Sequence, residues 1–200
     1  MNIARILYPV KVLGLGNRIG IWVCGCSLRC RGCSNPELWE RQEKHEIYMP
    51  NIKKLIGDIA AVNKIDGFTI TGGEPMEQPS ELSELVAFLS LISEDIIIYT
   101  GYSLEELKLN HSTDIKNILS SIAVLIDGNY IEERNVGIPL RGSDNQNVYV
   151  LNQKYKKIYD DYFVNSQNQI QNFTTADGII SVGIHEKEFN KKFEEKIKGF

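Results

Sequence analysis

Ile19-Gly20-Ile21-Trp22-Val23 runs without a break into Cys24-Gly25-Cys26-Ser27-Leu28-Arg29-Cys30-Arg31-Gly32-Cys33. The apolar run reads as a buried strand over 18 to 23, and the ten residues after it hold all four cysteines of a 200-residue chain. Cysteines this close are poor core fillers and too near one another to close useful disulfide loops, so a metal is the economical reading. The subset Cys26-x3-Cys30-x2-Cys33 can set three thiolates on one side of a loop, where soft sulfur suits a cubane of iron and sulfide. Three ligands for four irons leave one iron open to a substrate or cofactor. Two alternatives stand beside this: a zinc site that takes Cys24 as a fourth thiolate, and ordinary reduced thiols.

The chain around this loop has the alternation of an α/β protein. Residues 3 to 13 read as a first extended segment with Pro9 at an edge, and Gly14-Leu15-Gly16-Asn17 as a turn. Gly14 and Gly16 do not begin a dinucleotide fingerprint, because the third glycine is absent at Ile19 and no helix pattern follows. Ile52, Leu55, Ile56, Ile59 and Ala60 recur at helical spacing behind Asn51, and Leu82, Leu85, Val86 and Leu89 do so behind Ser80. Between and after them lie short strands at 67 to 71, 96 to 99 and 122 to 128, a Ser103-capped helix, and a helix over 113 to 121. Such alternation predicts a mostly parallel sheet. The chain falls short of the roughly 250 residues of an eight-unit barrel, so the expectation is an open partial barrel of (β/α)6 type. Residues 1–153 form the expected core, and 154–200 a short C-terminal extension packed on the same domain, with a strand at 178 to 183, a hairpin turn at Asp177-Gly178 and a charged helix from Glu186.

Bulk properties narrow the partners. A net charge of -4 gives no general attraction to nucleic acid or to an anionic membrane, and no run approaches the ~18 apolar residues of a membrane span. With no secretory signal pattern at Met1-Asn2-Ile3-Ala4-Arg5 and with clustered cysteines, the expected compartment is the cytoplasm.

In parallel α/β sheets the ligand sits beyond the carboxyl ends of the strands. Four polar groups fall at such ends: the cysteine loop, Gly72-Gly73-Glu74-Pro75, Tyr99-Thr100-Gly101-Tyr102 and Asp127-Gly128. Paired glycines let a backbone pass close to a ligand, and Glu74 behind them can hold an ammonium group; a plain strand-to-helix turn is the alternative. Trp39 reads as a packing residue over the loop, and His45, His111 and His185 as surface histidines.

Cys-x3-Cys-x2-Cys followed by Thr71-Gly72-Gly73-Glu74-Pro75 resembles the radical S-adenosylmethionine superfamily. Within it, Ile21-Trp22-Val23, Gly32-Cys33-Ser34-Asn35-Pro36-Glu37-Leu38-Trp39, Tyr99-Thr100-Gly101-Tyr102, Asp127-Gly128 and Arg141-Gly142-Ser143-x2-Gln146 resemble the activating proteins of anaerobic ribonucleotide reductases, over about residues 5 to 150. The resemblance implies a [4Fe-4S] cluster on Cys26, Cys30 and Cys33. It also implies S-adenosylmethionine on the fourth iron, with its amino group held by Gly72, Gly73 and Glu74; Tyr99 and Asp127 are further candidates for the cofactor site. One electron, from a donor such as flavodoxin, would then release a 5′-deoxyadenosyl radical that takes hydrogen from a glycine of a partner enzyme. Gly32 stands where the superfamily often carries an aromatic residue facing adenine, so that contact must come from elsewhere, and Cys24 lies outside the triad. A radical enzyme acting on a small molecule or peptide, and a non-catalytic metal-binding module, are the alternative functions.

Overall fold

The structure, a computed structural model, describes residues 1–176, 178–189 and 192. Six strands form one sheet in chain order: β1 (Ile3–Val10), β2 (Arg18–Val23), β3 (Gly67–Gly72), β4 (Ile96–Tyr99), β5 (Val124–Asp127) and β6 (Asn147–Val150). The four inner strands are parallel, while β1 and β6 run antiparallel at the two edges. The sheet is therefore mostly parallel, as the alternation predicts. Its outer strands do not repeat the strand-helix unit: no α-helix separates β1 from β2 or β5 from β6. Pro9 sits in edge strand β1, where a missing N–H costs no ladder bond toward a further strand.

Helices α1 (Met49–Val62), α2 (Pro79–Leu89), α3 (Leu104–Leu109) and α4 (Thr113–Ser121) supply the crossovers between the parallel strands. Alternate side chains of a strand face opposite sides, and this divides the core in two. Ile19, Ile21, Val23, Phe68, Ile70, Ile96, Ile98 and Leu125 meet Ile52, Ile56, Leu82, Leu85, Ile115 and Ile118 of the helices. Each such fully buried side chain contributes about 1.5–3 kcal/mol. Ser103 caps α3 through a capping box with Glu106, as its position ahead of the acidic first turn predicts.

The opposite face is covered by the C-terminal extension. Strands β7 (Ile170–Thr175) and β8 (Gly178–Gly183) form a separate antiparallel hairpin, whose Phe173, Ile180 and Val182 pack with Ile184 on Val10, Leu13 and Trp22. Helix α5 (Lys156–Asn165) lays Tyr159, Tyr162 and Phe163 against Ile97, Val124 and Ile126. The strand expected at 178 to 183 is present; α5 and β7 were not anticipated. Asp177 and most of the charged helix expected from Glu186 lie outside the described residues.

Arg18 ties this extension to the sheet from a fully buried position. Its guanidinium donates to Asp95 Oδ2 at 2.9 Å, to Asp95 O at 2.8 Å, to Phe68 O at 2.5 Å and to Thr69 Oγ1 at 2.8 Å. Tyr159 of α5 completes the network by donating to Asp95 Oδ1 at 2.5 Å. Removing one member of a buried ion pair leaves the other charge without compensation, at a cost of about 3–5 kcal/mol. Arg18→Met is therefore expected to lower the free energy of unfolding in urea by that amount, and Arg18→Met/Asp95→Leu to recover much of it. A loss below about 1 kcal/mol in the single variant would mean that water screens the pair.

Candidate active site

The parallel strands β2, β3, β4 and β5 all end at the same edge of the sheet, and the loops that leave them enclose one cavity of about 190 Å³. Cys26, Cys30 and Cys33 line it, together with Gly72, Gly73, Glu74, Tyr99, Thr100, Gly101 and Gly128.

The cysteine loop is closed at its base by main-chain bonds. Cys24 N donates to Asn2 O, Gly25 N to Leu38 O at 2.9 Å and Cys26 N to Trp39 O at 2.9 Å. The backbone turns at Gly25 with φ +98°, a conformation that favours glycine. Cys26, Cys30 and Cys33 are reduced and part-buried. Burial pushes the thiols of Cys26 and Cys33 up, opposed by nearby backbone N–H groups at each sulfur. Among the described residues, no three His, Cys, Asp or Glu side chains draw together as a site for a single metal ion. The three thiols line one cavity, a set of soft sulfur donors of the kind an iron-sulfur cluster takes. Cys24 faces away: it is fully buried among Trp22, Leu38 and Val182, and it is not among the cavity residues.

Gly72 and Gly73 line the cavity, but their own close approach is to β2. A Cβ on Gly73 would lie 2.4 Å from Gly25 O, and one on Gly72 2.6 Å from Val23 N and O. Gly73 N and Glu74 N donate to Val23 O and Gly25 O at 2.8 and 2.7 Å. The glycine pair thus locks the end of β3 onto the base of the cysteine loop, which fixes Glu74 relative to the thiols. Glu74 is 1% exposed. Its carboxylate accepts from Met76 N at 2.9 Å, Thr100 Oγ1 at 2.8 Å and Gly101 N at 2.7 Å. Burial raises its pKa to about 7 against the pull of those three donors. A carboxylate offers about four lone-pair sites, so one remains for a donor in the cavity.

Tyr99 bounds the cavity from the face carrying α5; burial raises its pKa, and its hydroxyl makes no hydrogen bond among the described residues. Asp127 is fully buried and is not among the residues that line the cavity. Its carboxylate accepts from Leu104 N at the start of α3 at 2.7 Å and from Asn147 Nδ2 of β6 at 3.0 Å, so it is spent in joining three elements. The neighbouring Gly128 lines the site instead, and Gln146 holds it there by donating from Nε2 to Gly128 O at 2.8 Å while accepting from Gly142 N at 2.8 Å.

His185 also departs from expectation. It is part-buried, stacks on Phe189 with ring centroids 4.0 Å apart, bonds Ser181 Oγ at 2.9 Å and lines the cavity. Burial lowers its pKa to about 4, so the ring is neutral near pH 7. Ser181 to Ile184 line the cavity beside it, so the hairpin is a wall of the site. Nothing in the local sequence of this polar tail announces that wall.

Residues 12–149 match the family model of a 4Fe-4S single cluster domain, a span that contains every cysteine and strands β2 to β5. Anaerobic ribonucleoside-triphosphate reductase-activating proteins match over most of their length. That of Vibrio cholerae serotype O1 is 33% identical over 150 residues, covering 71% of this chain and 94% of the relative. That of Enterobacteria phage T4 is 33% identical over 154 residues, covering 74% and 94%. The chain belongs to this activating-protein family. About a quarter of it lies outside those two matches, and the family model stops at residue 149, ahead of α5 and the hairpin.

Proposed function

We propose that this protein is a radical S-adenosylmethionine activase that takes a hydrogen atom from a glycine of an anaerobic ribonucleotide reductase. The observation that carries this reading is the single cavity shared by three reduced thiols and a buried carboxylate on the next strand end. Cys26, Cys30 and Cys33 would hold a [4Fe-4S] cluster, soft thiolates being the ligands such a cluster takes. Gly72, Gly73 and Glu74 would receive the amino end of S-adenosylmethionine, and the free acceptor position on Glu74 fits that group. With both groups bound, the site would supply one-electron radical chemistry for hydrogen abstraction, given an electron from a donor.

The chain's own task is to orient and to exclude water. Thr100, Gly101 and Met76 hold the Glu74 carboxylate in one place before any cofactor enters. Tyr99 bounds one side of the cavity. Asp127 acts at one remove, by fixing the end of β5 from which Gly128 reaches the site. A small low-potential electron carrier such as flavodoxin would act as donor, in the cytoplasm. The mostly parallel six-stranded sheet is read as an open partial barrel formed by residues 1–153, in which the inner strands alone carry helical crossovers, and the described part of the C-terminal extension is read as packed on the same domain. The hairpin wall supports a second reading, in which the hydrogen comes from a small molecule or a peptide that the hairpin selects.

Anaerobically reconstituted protein, given reductant, S-adenosylmethionine and a reductase with a C-terminal glycine motif, is expected to yield 5′-deoxyadenosine and a glycine-centred radical on the reductase. 5′-Deoxyadenosine without a protein radical would favour the second reading. Iron uptake with no cofactor turnover would indicate a non-catalytic module.

A further inference from the structure

Trp39 touches both ends of the ligand set. Its carbonyl accepts from Cys26 N at 2.9 Å, which anchors the first cysteine of the triad. Its indole stands beside the third: Trp39 lines the same cavity as Cys33 and its side chain meets that thiol, and its Nε1–H is buried without a hydrogen-bond partner among the described residues. An orphaned buried donor costs about 1–3 kcal/mol and calls for an explanation. Cys33 offers one. Asn35 N already donates to Cys33 Sγ at 3.4 Å. The indole N–H stands beside that thiol without forming a hydrogen bond to it. The Arg29 guanidinium lies 5.9 Å over the ring and is itself paired with Glu40.

We propose that Trp39 is a tuning residue of the cluster: its indole N–H donates to Cys33 Sγ once that sulfur is an iron ligand, so that Cys33 receives two N–H donors. This rests on the cluster assignment made above. Donors to cluster sulfurs stabilise the more electron-rich reduced state and raise the reduction potential. The asymmetry is built into the loop: among the hydrogen bonds of the described residues, Cys30 Sγ has only a weak contact as a donor, with Asn129 Oδ1 at 3.8 Å.

Two measurements test this. Trp39→Phe keeps an apolar ring and removes the N–H, so its fully loaded cluster is expected to titrate at a lower midpoint potential than that of the unaltered protein, followed by EPR in a dye-mediated redox titration. In the unaltered chain carrying indole-15N tryptophan, the reduced cluster is expected to show a 15N coupling in pulsed EPR that persists in Trp22→Phe. The second measurement stands even if Trp39→Phe loads poorly. A loaded cluster with an unchanged potential in Trp39→Phe, or with no 15N coupling, overturns the role of Trp39 alone. An unaltered protein that takes up no cluster overturns both this role and the proposed function.

Discussion

Alanine at Cys26, Cys30 or Cys33 is expected to abolish the brown iron-sulfur absorbance and, with it, S-adenosylmethionine cleavage, whereas Cys24→Ser is expected to leave both in place. The three triad thiols line the shared cavity, and a cluster with one open iron has no ligand to spare. Loss of a direct ligand should cost more than the roughly 10–100-fold that outer-shell changes cost at metal sites. Because burial holds the Cys26 and Cys33 thiols protonated in the metal-free protein, cluster assembly should also release protons, measurable in weakly buffered solution. Cys24 is different in kind: its sulfur is a small apolar filler against Trp22 and Leu38. A serine hydroxyl there would cost about 1–3 kcal/mol of stability without touching the iron. Iron and sulfide analysis of the four folded variants decides the matter, and loss of iron in Cys24→Ser would restore the four-thiolate zinc-type reading.

Much of the sheet could be read from the chain because its inner strands are buried on both faces. A run such as Ile96-Ile97-Ile98-Tyr99 has one reading only, a strand under cover on two sides, and the structure buries all three isoleucines. Helix α4 was legible for a different reason, its apolar positions Ile115, Ile118 and Leu119 forming one face of a segment otherwise polar. The extension hid its structure behind tyrosines. The stripe of α5 is Tyr155, Tyr159, Tyr162 and Phe163, and side chains with polar tips blur the contrast on which helical periodicity depends. Arg18 was illegible for a further reason. Nothing local marks an arginine in a strand as buried; its partners Asp95 and Tyr159 lie 77 and 141 residues along the chain.

At the site, residue types were legible and their tasks were not. Gly72 and Gly73 are where the sequence reading puts them, and at each a side chain is excluded by Val23 or Gly25, a contact that no local pattern announces. Asp127 and Glu74 illustrate the same limit. Both are acids at the ends of parallel strands, and only the fold distinguishes the one spent on α3 and β6 from the one that lines the cavity.

That distinction gives Glu74 two pH trends of opposite sign. Its pKa rises from 4.5 in the unfolded chain to about 7 in the fold, so between those values the native state binds more protons than the unfolded one. Stability of the metal-free protein should therefore fall as pH rises from about 4.5 through 7, by about 3 kcal/mol in total if no other group intervenes. Cofactor affinity should move the other way, strengthening from pH 6 to 8 as the carboxylate ionises and becomes the better acceptor for an amino group. Glu74→Gln removes both trends. Its amide N–H groups would face Thr100 Oγ1 or Gly101 N, which now donate to the carboxylate, leaving at least one of these buried groups unpaired at about 1–3 kcal/mol. The lost charge-assisted bond, worth about 1.5–3 kcal/mol, corresponds to roughly 10–150-fold weaker S-adenosylmethionine binding. Anaerobic calorimetry on cluster-loaded protein at pH 6, 7 and 8 reads this directly. Equal affinities for the two proteins at pH 8 would remove Glu74 from the cofactor site and leave its buried carboxylate a purely architectural link between the ends of β3 and β4.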